Sequence, residues 1–272
     1  MPSKLYKRRA GKLPAVAPKK EPAAHPKEAS ASGPIRINRF FTQQGLCSRR
    51  EADRLIEEGR VTINDRKAVL GDQVSPGDVI VRDGDVVPWG NESIYLKFHK
   101  PVGVTTTTEL DVPDNIISYI GHPARIFPVG RLDKDSSGLI LLTNDGTIVN
   151  RVLRAEHGHE KEYLVRVNRP FDQPFLDAMG RGVVIMGQST RPAAVTRRGK
   201  QEFRIVLTEG RNRQIRRMCQ ALGYRVVGLH RIRVMHIELG DLQVGQWRDL
   251  SERERRELLE TVSRSGEMAS GR

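Results

Sequence analysis

The sequence predicts an α+β protein. Short runs with strand patterning outnumber helical ones, and hairpin-type turns separate many of them, with helices interspersed. At 272 residues the chain has room for one good core plus a small extra domain.

Residues 1–34 are expected to be a disordered basic tail. They hold six prolines (Pro2, Pro14, Pro18, Pro22, Pro26, Pro34) and eight Lys or Arg against only Glu21 and Glu28. Such a stretch cannot bury a core. It serves either as a solubilising tail or as an arm that adds phosphate affinity.

Order is expected from Ile35. Ile37, Phe40 and Phe41 share one helix face, and Gly45 suits its C-terminal cap. Ser48-Arg49-Arg50-Glu51 reads as a capping box, with Ser48 accepting from the Glu51 amide and the Glu51 side chain reaching back. The helix it opens places Ala52, Leu55 and Ile56 on one side and ends at Gly59. Strand patterning follows at Val61 and Ile63, with a turn at Asn64-Asp65 and a hairpin-like piece through Val74, Pro76-Gly77-Asp78 and Val79 to Val81. Residues 83–91 read as a linker. Arg49 and Arg50, at a helix start, are placed to grip phosphates beside the free helix-terminal amides.

The second unit begins with a strand, Ile94-Tyr95-Leu96-Lys97-Phe98, and a turn at Pro101 and Gly103. Loops are expected over residues 105–108 and 111–114. Then a charged turn, Arg131-Leu132-Asp133-Lys134-Asp135, leads into the apolar run of residues 139–142, and Asn144-Asp145-Gly146 ends it. A Leu/Ile run bounded by turns reads as a buried strand. It holds Asp133 at a rigid edge next to Arg131. From these residues alone, Asp133 is either half of a structural ion pair or the working carboxylate of a site. Ile148, Val149, Val152 and Leu153 have helical spacing, and Tyr163 to Val167 alternate as a strand. A short helix over residues 175–179 and strands near residues 183–185, 193–195 and 203–207 follow. A helix is expected from an N-cap at Asn212, with Ile215, Met218 and Leu222 on its core face, Arg213, Arg216 and Arg217 off that face, and Gly223 closing it. Strands near residues 229–237 and 249–250 close the domain. Residues 251–272 read as a short charged helix and a frayed tail.

Composition restricts the chemistry. The net charge of +13 and pI of about 10.1 point to nucleic acid or an anionic membrane as partner. No apolar run approaches the roughly 20 residues of a spanning helix, and the N-terminus lacks a signal peptide's apolar region. Nucleic acid is therefore the expected partner, with no membrane and a cytoplasmic setting. Cys47 and Cys219 are expected as reduced thiols. The histidines are scattered, with only His157-Gly158-His159 close together, so no metal site is expected. Neither a Gly-rich phosphate loop nor a Gly-x-Ser-x-Gly elbow occurs. Asp133 and Asp135 could form a carboxylate pair, but Arg131 and Lys134 crowd them, which favours one special carboxylate.

Residues 35–81 resemble the S4-type RNA-binding domain. The resemblance rests on Ile37-Asn38-Arg39-Phe40, Gly45, Ser48-Arg49-Arg50-Glu51-Ala52, Leu55-Ile56, Gly59, Val61, Asn64 and Gly77-Asp78, with Asn64-Asp65 where Asn-Gly is usual. Gly130-Arg131-Leu132-Asp133, followed by the stretch from Gly138 to Gly146, resembles the signature of RNA pseudouridine synthases. Lys100-Pro101-Val102-Gly103, Lys161-Glu162-Tyr163 and the stretch from Arg211 to Met218 match in order. The whole pattern spans residues 35–250 and is similar to the RsuA/RluB/RluF type. Gln214 to Cys219, Arg231-Ile232-Arg233 and Gly245 to Leu250 bring it nearest the RluF branch. His99 departs from the Asn usual before Lys-Pro.

The resemblance implies an S4-type domain and linker over residues 35–90, a catalytic domain on a mixed, mainly antiparallel sheet over 91–250, and a charged C-terminal tail over 251–272. It implies a monomeric enzyme that isomerises uridine to pseudouridine in RNA with no cofactor and no metal. The expected substrate is large-subunit (23S) rRNA, and the RluF branch also admits a tRNA anticodon position. A small-subunit (16S) rRNA enzyme and a non-catalytic RNA-binding or ribosome-assembly factor are the alternatives. Asp133 becomes the catalytic carboxylate, Arg216 the cation that keeps it ionised, and Tyr163 the ring that stacks on the flipped uracil, with Ile215 beneath it. Arg131 is expected among the substrate-binding residues and is also the local rival for the pairing with Asp133. Lys161 and Arg213 are expected on phosphates, as are Arg49 and Arg50 in the S4-type unit.

Overall fold

The computed structural model describes residues 33–90, 93–153 and 158–270. The expected basic tail, apart from Gly33 and Pro34, and His157 lie outside the described residues.

In the N-terminal unit β1 (Ile35–Arg36) pairs with β4 (Gln73–Val74) and runs directly into α1 (Ile37–Gln43). The buried Ile37, Phe40 and Phe41 fix the face of α1, and Gly45 follows its end at φ 69°. In α2 (Arg49–Glu57) Ser48 Oγ accepts from the Glu51 amide at 3.1 Å, as expected of an N-cap. The other half of the capping box does not form. Arg54, one turn on and also exposed, takes the Glu51 carboxylate at 3.0 Å instead.

Strands β2 (Val61–Ile63), β3 (Arg66–Lys67), β5 (Ile80–Arg82) and β6 (Asp85–Val87) form a sheet in the order β3-β2-β5-β6. Asn64 and Asp65 both adopt positive φ, 48° and 64°, so this pair makes the tight hairpin turn usually given to Asn-Gly. The expected linker over residues 83–91 contains β6. Asp83 and Gly84, at φ 54° and 90°, turn the chain back onto β5, and Val87 is buried in the module's core.

The second unit is a nine-stranded sheet. Its strands are β7 (Tyr95–Lys100), β8 (Phe127–Val129), β9 (Ser137–Thr143), β10 (Lys161–Val167), β13 (Ala194–Arg197), β14 (Glu202–Leu207), β15 (Val226–Val234), β16 (Ile237–Glu238) and β17 (Trp247–Asp249). A separate two-residue hairpin joins β11 (Val184–Ile185) to β12 (Gln188–Ser189). The main path runs β13-β14-β10-β15-β9-β7-β17, with β8 on β9 and β16 on β15. Among the described strands every pairing is antiparallel except β9 with β15.

The apolar run of β9 is continuous because both its faces are covered. Leu139 and Leu141 face the cluster that includes α4 (Gly146–Leu153) and α7 (Glu252–Ser270), whereas Ile140 and Leu142 face Phe98 and α3 (Ile116–Ile120). On the other half of the sheet, α5 (Gln173–Arg181) and α6 (Gln214–Ala221) cover Val165, Phe203 and Ile205. Gly138, at φ 111°, lies against β15 so closely that a Cβ there would collide with the Arg231 backbone.

Two further elements differ from expectation. The helix α3 was missed because five residues carry little periodicity; Asn115 caps it by accepting from the Ser118 amide at 2.7 Å. The expected short C-terminal helix with a frayed tail is instead the 19-residue α7. Leu258 and Val262 bury it, and Glu254 anchors it through Lys97 at 3.0 Å, Arg248 at 2.8 Å and the Ser251 amide at 2.8 Å. Burial pushes the Glu254 carboxyl up, but these donors outweigh it and hold it at about 2. Among the described residues, no helix is long and apolar enough to cross a membrane.

The two units touch where Gly45 meets Arg125, and where Arg49 Nη2 lies 4.0 Å from the position of a Cβ at Gly146, the first residue of α4. Cys47 and Cys219 are both buried free thiols.

Candidate active site

The turn between β8 and β9 is clamped by hydrogen bonds from within the domain. Ser136 donates its amide to the Asp133 carbonyl at 3.0 Å, and Gly103 donates to the Lys134 carbonyl at 2.8 Å. The buried Thr106 hydroxyl donates to the Leu132 carbonyl at 2.8 Å. Leu132 itself is sunk in the core beside Ile140 and Leu142. Asp133, 28% exposed at its side chain, is therefore presented from a stiff support.

Two arginines from the start of α6 meet it. Arg216 Nε stands 3.5 Å and Arg213 Nη1 3.4 Å from Asp133 Oδ2. The contact between Arg216 and Asp133 is an ion pair without a hydrogen bond, since Arg216 Nε is buried and has no hydrogen-bond acceptor. Arg216 Nη2 donates to the Asp135 carbonyl and to Ser136 Oγ, both at 3.0 Å. Arg213 makes a two-pronged contact with the Asp135 carboxylate, 3.1 Å on each side. Burial pushes the Asp135 carboxyl up, but Arg213 and Arg216 outweigh that and hold it below the usual carboxylate range.

The sequence-based expectations divide here. The structure brings together Asp133, Arg213 and Arg216, and it adds Asp135, which the reading of one special carboxylate had set aside. Lys134 does not crowd the pair; it turns outward to Asp114 at 3.7 Å. Arg131 is exposed and pairs with no carboxylate among the described residues. The helix starts one residue later than expected. Arg213, not Asn212, occupies the N-cap, with a left-handed backbone at φ 50° and ψ 35°. Such a conformation costs a non-glycine residue about 1 kcal/mol. Surrounding contacts impose it. Buried Glu209 accepts from the Arg191 amide and from Gln214 Nε2, while Gln214 Oε1 accepts from the Arg211 amide. Asn212 accepts from Arg217 instead.

Tyr163, half-buried on β10, packs against the cluster that holds Ile215 and also against the one that holds Leu132. It thus spans the gap between the Asp133 turn and α6. Its neighbour Glu162 faces the opposite side of the sheet, buried between Arg204 and Arg233, and locks β10 to both flanking strands. Lys161 is half-buried, donates to the His159 carbonyl at 2.9 Å and makes no contact with the carboxylates. Burial, then Arg231, pushes its ammonium down. Arg49 and Arg50 are exposed at the start of α2, in the other unit.

Behind the site lie groups to which the sequence reading gives no role. Lys100 is fully buried, donates to the Pro101 and Val104 carbonyls at 2.9 and 2.7 Å, and is pushed down to about 7 by burial against the pull of Asp133 and Asp135. Its signal in the sequence is its place in the matching Lys100-Pro101-Val102-Gly103 stretch. His99 and His230 face each other at 5.2 Å between ring centroids, and His230 Nδ1 bonds with Ser137 Oγ at 2.9 Å.

Burial pushes His230 down to about 4, and His99 adds to that push. The unfolded chain takes up this proton near pH 6.5 and the folded one only near pH 4. Stability therefore rises with pH across this window and is lost as pH falls through it. A depression of this size corresponds to about 3 kcal/mol. Urea midpoints at pH 6.5 and 4.0 should show a smaller acid loss for His230→Gln than for the wild type; equal losses would remove His230 from the effect.

A carboxylate on a stiff turn, backed by two guanidiniums and flanked by a half-buried tyrosine, is joined in one chain to a small helix–strand module with exposed arginines. The chain belongs to the RNA pseudouridylate synthase family, in the RsuA/RluB/RluF type that carries an N-terminal S4 domain. The RNA pseudouridylate synthase family matches residues 94–221, and the S4 domain matches residues 35–80. The particular relatives include the dual-specificity RNA pseudouridine synthase RluF of Escherichia coli strain K12. It is 45% identical over 85% of this chain and 80% of that protein. The ribosomal large subunit pseudouridine synthase B of Bacillus subtilis is 34% identical over 82% of this chain and 95% of that protein. A solved structure described as a pseudouridylate synthase matches with a TM-score of 0.60 and 30% identity, covering 82% of this chain and 99% of that one.

Proposed function

We propose that the enzyme isomerises uridine to pseudouridine in large-subunit ribosomal RNA and, as a second substrate, in a tRNA anticodon, with Asp133 as its catalytic carboxylate. The observation that carries the assignment of Asp133 is its ion-pair contact with Arg213 and Arg216 beside Tyr163. The choice of substrate is supported by the 45% identity to a relative named as dual-specificity, against 34% to the large-subunit enzyme of Bacillus subtilis.

In the isomerisation the N1–C1′ bond breaks, the uracil turns, and C5 bonds to C1′. The proton leaves C5 and one is gained at N1, so atoms and oxidation state balance without a redox partner. Asp133 acts in its ionised form, and Arg216 supports that form against the desolvation that a bound base would bring. The target base must leave its stack to reach a carboxylate on this turn. Tyr163 then offers its ring to the uracil, with Ile215 packed in the cluster beneath. Residues 35–90 act as the RNA-gripping unit and residues 91–250 as the catalytic one, in a monomer. Pseudouridine mapping across rRNA and tRNA of a deletion strain tests the substrate; loss confined to small-subunit rRNA would overturn it.

The S4-type unit makes its own prediction. Reversing Arg49 and Arg50 to Glu should weaken RNA binding about tenfold and lower the slope of log K against log salt by about 1.4, two phosphate contacts' worth. Arg50 alone should give about half that slope change, since Arg49 also lies against the start of α4. Unchanged binding in a folded double variant would refute the role.

A further inference from the structure

We propose that Asp135 is an internal stand-in for a phosphodiester: in the free protein its carboxylate fills the Arg213 fork, and a backbone phosphate of the bound RNA displaces it. The inference rests on the RNA-modifying reading above. Its first support is geometry. Arg213 Nη1 and Nη2 reach the two Asp135 oxygens at 3.1 Å each. This parallel pair of N–H···O bonds is how a planar guanidinium takes a carboxylate or a phosphate alike.

The second support is the gradient of exposure across the four charges. Arg216 and Asp133 form the inner pair, 13% and 28% exposed, whereas Arg213 and Asp135 form the outer one, 42% and 50% exposed. An RNA strand entering the site meets the outer pair first. The quartet is also electrically balanced, two guanidiniums against two carboxylates. A polyanion gains little from a balanced quartet. Exchange of the outer carboxylate for a phosphate keeps the balance and gives the RNA a cation.

Exchange costs little. The Arg213–Asp135 pair is 42% and 50% exposed, so solvent screens it, and the released carboxylate is already half in water. The rest of the site keeps its form, because Arg216 holds the Asp135 backbone carbonyl and Ser136 Oγ, not only the carboxylate. The Arg213 backbone is set by the lock between Glu209 and Gln214, so the root of its side chain stays while the anion changes.

The rival reading is that Asp135 only holds the two arginines in place. Fluorescence anisotropy with a labelled oligouridylate, titrated across a salt series, separates the two. The proteins compared are the wild type, Asp135→Ala, Asp135→Asn, Arg213→Ala and the Asp135→Ala/Arg213→Ala double variant. Displacement predicts that both Asp135 variants bind roughly threefold to fivefold tighter, with the slope of log K against log salt steeper by about 0.7. The gain should vanish when Arg213 is also removed. Binding that is unchanged or weaker in both Asp135 variants overturns the proposal, as does a gain that survives without Arg213. Pseudouridine formation by the wild type on ribosomal RNA is scored separately. If none forms while the Arg213-dependent gain appears, the enzymatic assignment fails and the anion exchange stands.

Discussion

Replacing Asp133 by asparagine is expected to abolish pseudouridine formation, with a fall in turnover of about 10⁴-fold or more, the scale seen when a reacting group is removed. The substitution keeps the shape of the side chain and removes its charge. Arg213 retains Asp135, and Arg216 retains the Asp135 carbonyl and Ser136, so the turn stays pinned. The variant should therefore fold, bind RNA and fail in chemistry. Nucleoside analysis of RNA incubated with purified variant measures the loss, and anisotropy measures the binding. Turnover within tenfold of the wild type would remove Asp133 from the reaction.

Arg216→Ala carries the second large effect, a fall in kcat of about 10²–10³-fold, the range for removing one preorganised donor from a charged site. This side chain faces Asp133 and at the same time ties down Asp135 and Ser136. Its loss withdraws charge and support together. Lysine should rescue only part of the activity, because a single ammonium cannot span partners on both sides of a planar fork. Arg131→Ala is the matched control. Arg131 is exposed, so its replacement should leave kcat within about twofold, the usual scale for a surface position. The reverse ranking would return the pairing to Arg131.

What could be read in advance follows from how local each signal is. The strand β9 was legible because a run buried on both faces leaves no polar positions. The alternation of β10 was legible because Tyr163 and Val165 face a core while Glu162 and Arg166 do not. Ser48 as a cap was legible from four residues. Asp135 was not, because its partner lies 78 positions away and reaches it from a left-handed backbone that no local pattern announces. The docking of α7 was hidden for a similar reason. A charged helix looks solvated until Lys97 and Arg248 are found waiting for Glu254. The strand β6 was concealed in a turn-rich stretch whose apolar anchors in the core are Val87 and the partly buried Trp89. Arg216 was singled out through the family resemblance, since on its own helix it is merely a cation off the apolar face.

The pairing of β9 with β15 covers only two register positions, Ser137 with His230 and Gly138 with Arg231. It is also the one ladder that joins the two antiparallel halves of the sheet among the described strands. Asp133 hangs from one half, and Tyr163, Arg213 and Arg216 belong to the other. The proposed catalytic contact is thus stretched across a mechanical joint. At one end the joint is greased by Val234, Ile237, Leu139 and Leu141; at the end nearer the site it is riveted by polar groups, Ser137 to His230 and Arg231 to the Leu139 carbonyl at 2.7 Å. A slip of this seam would change the gap between Asp133 and Arg216 and load the Arg216 bonds to the Asp135 carbonyl and Ser136 Oγ, so that single separation would register movement of one half against the other.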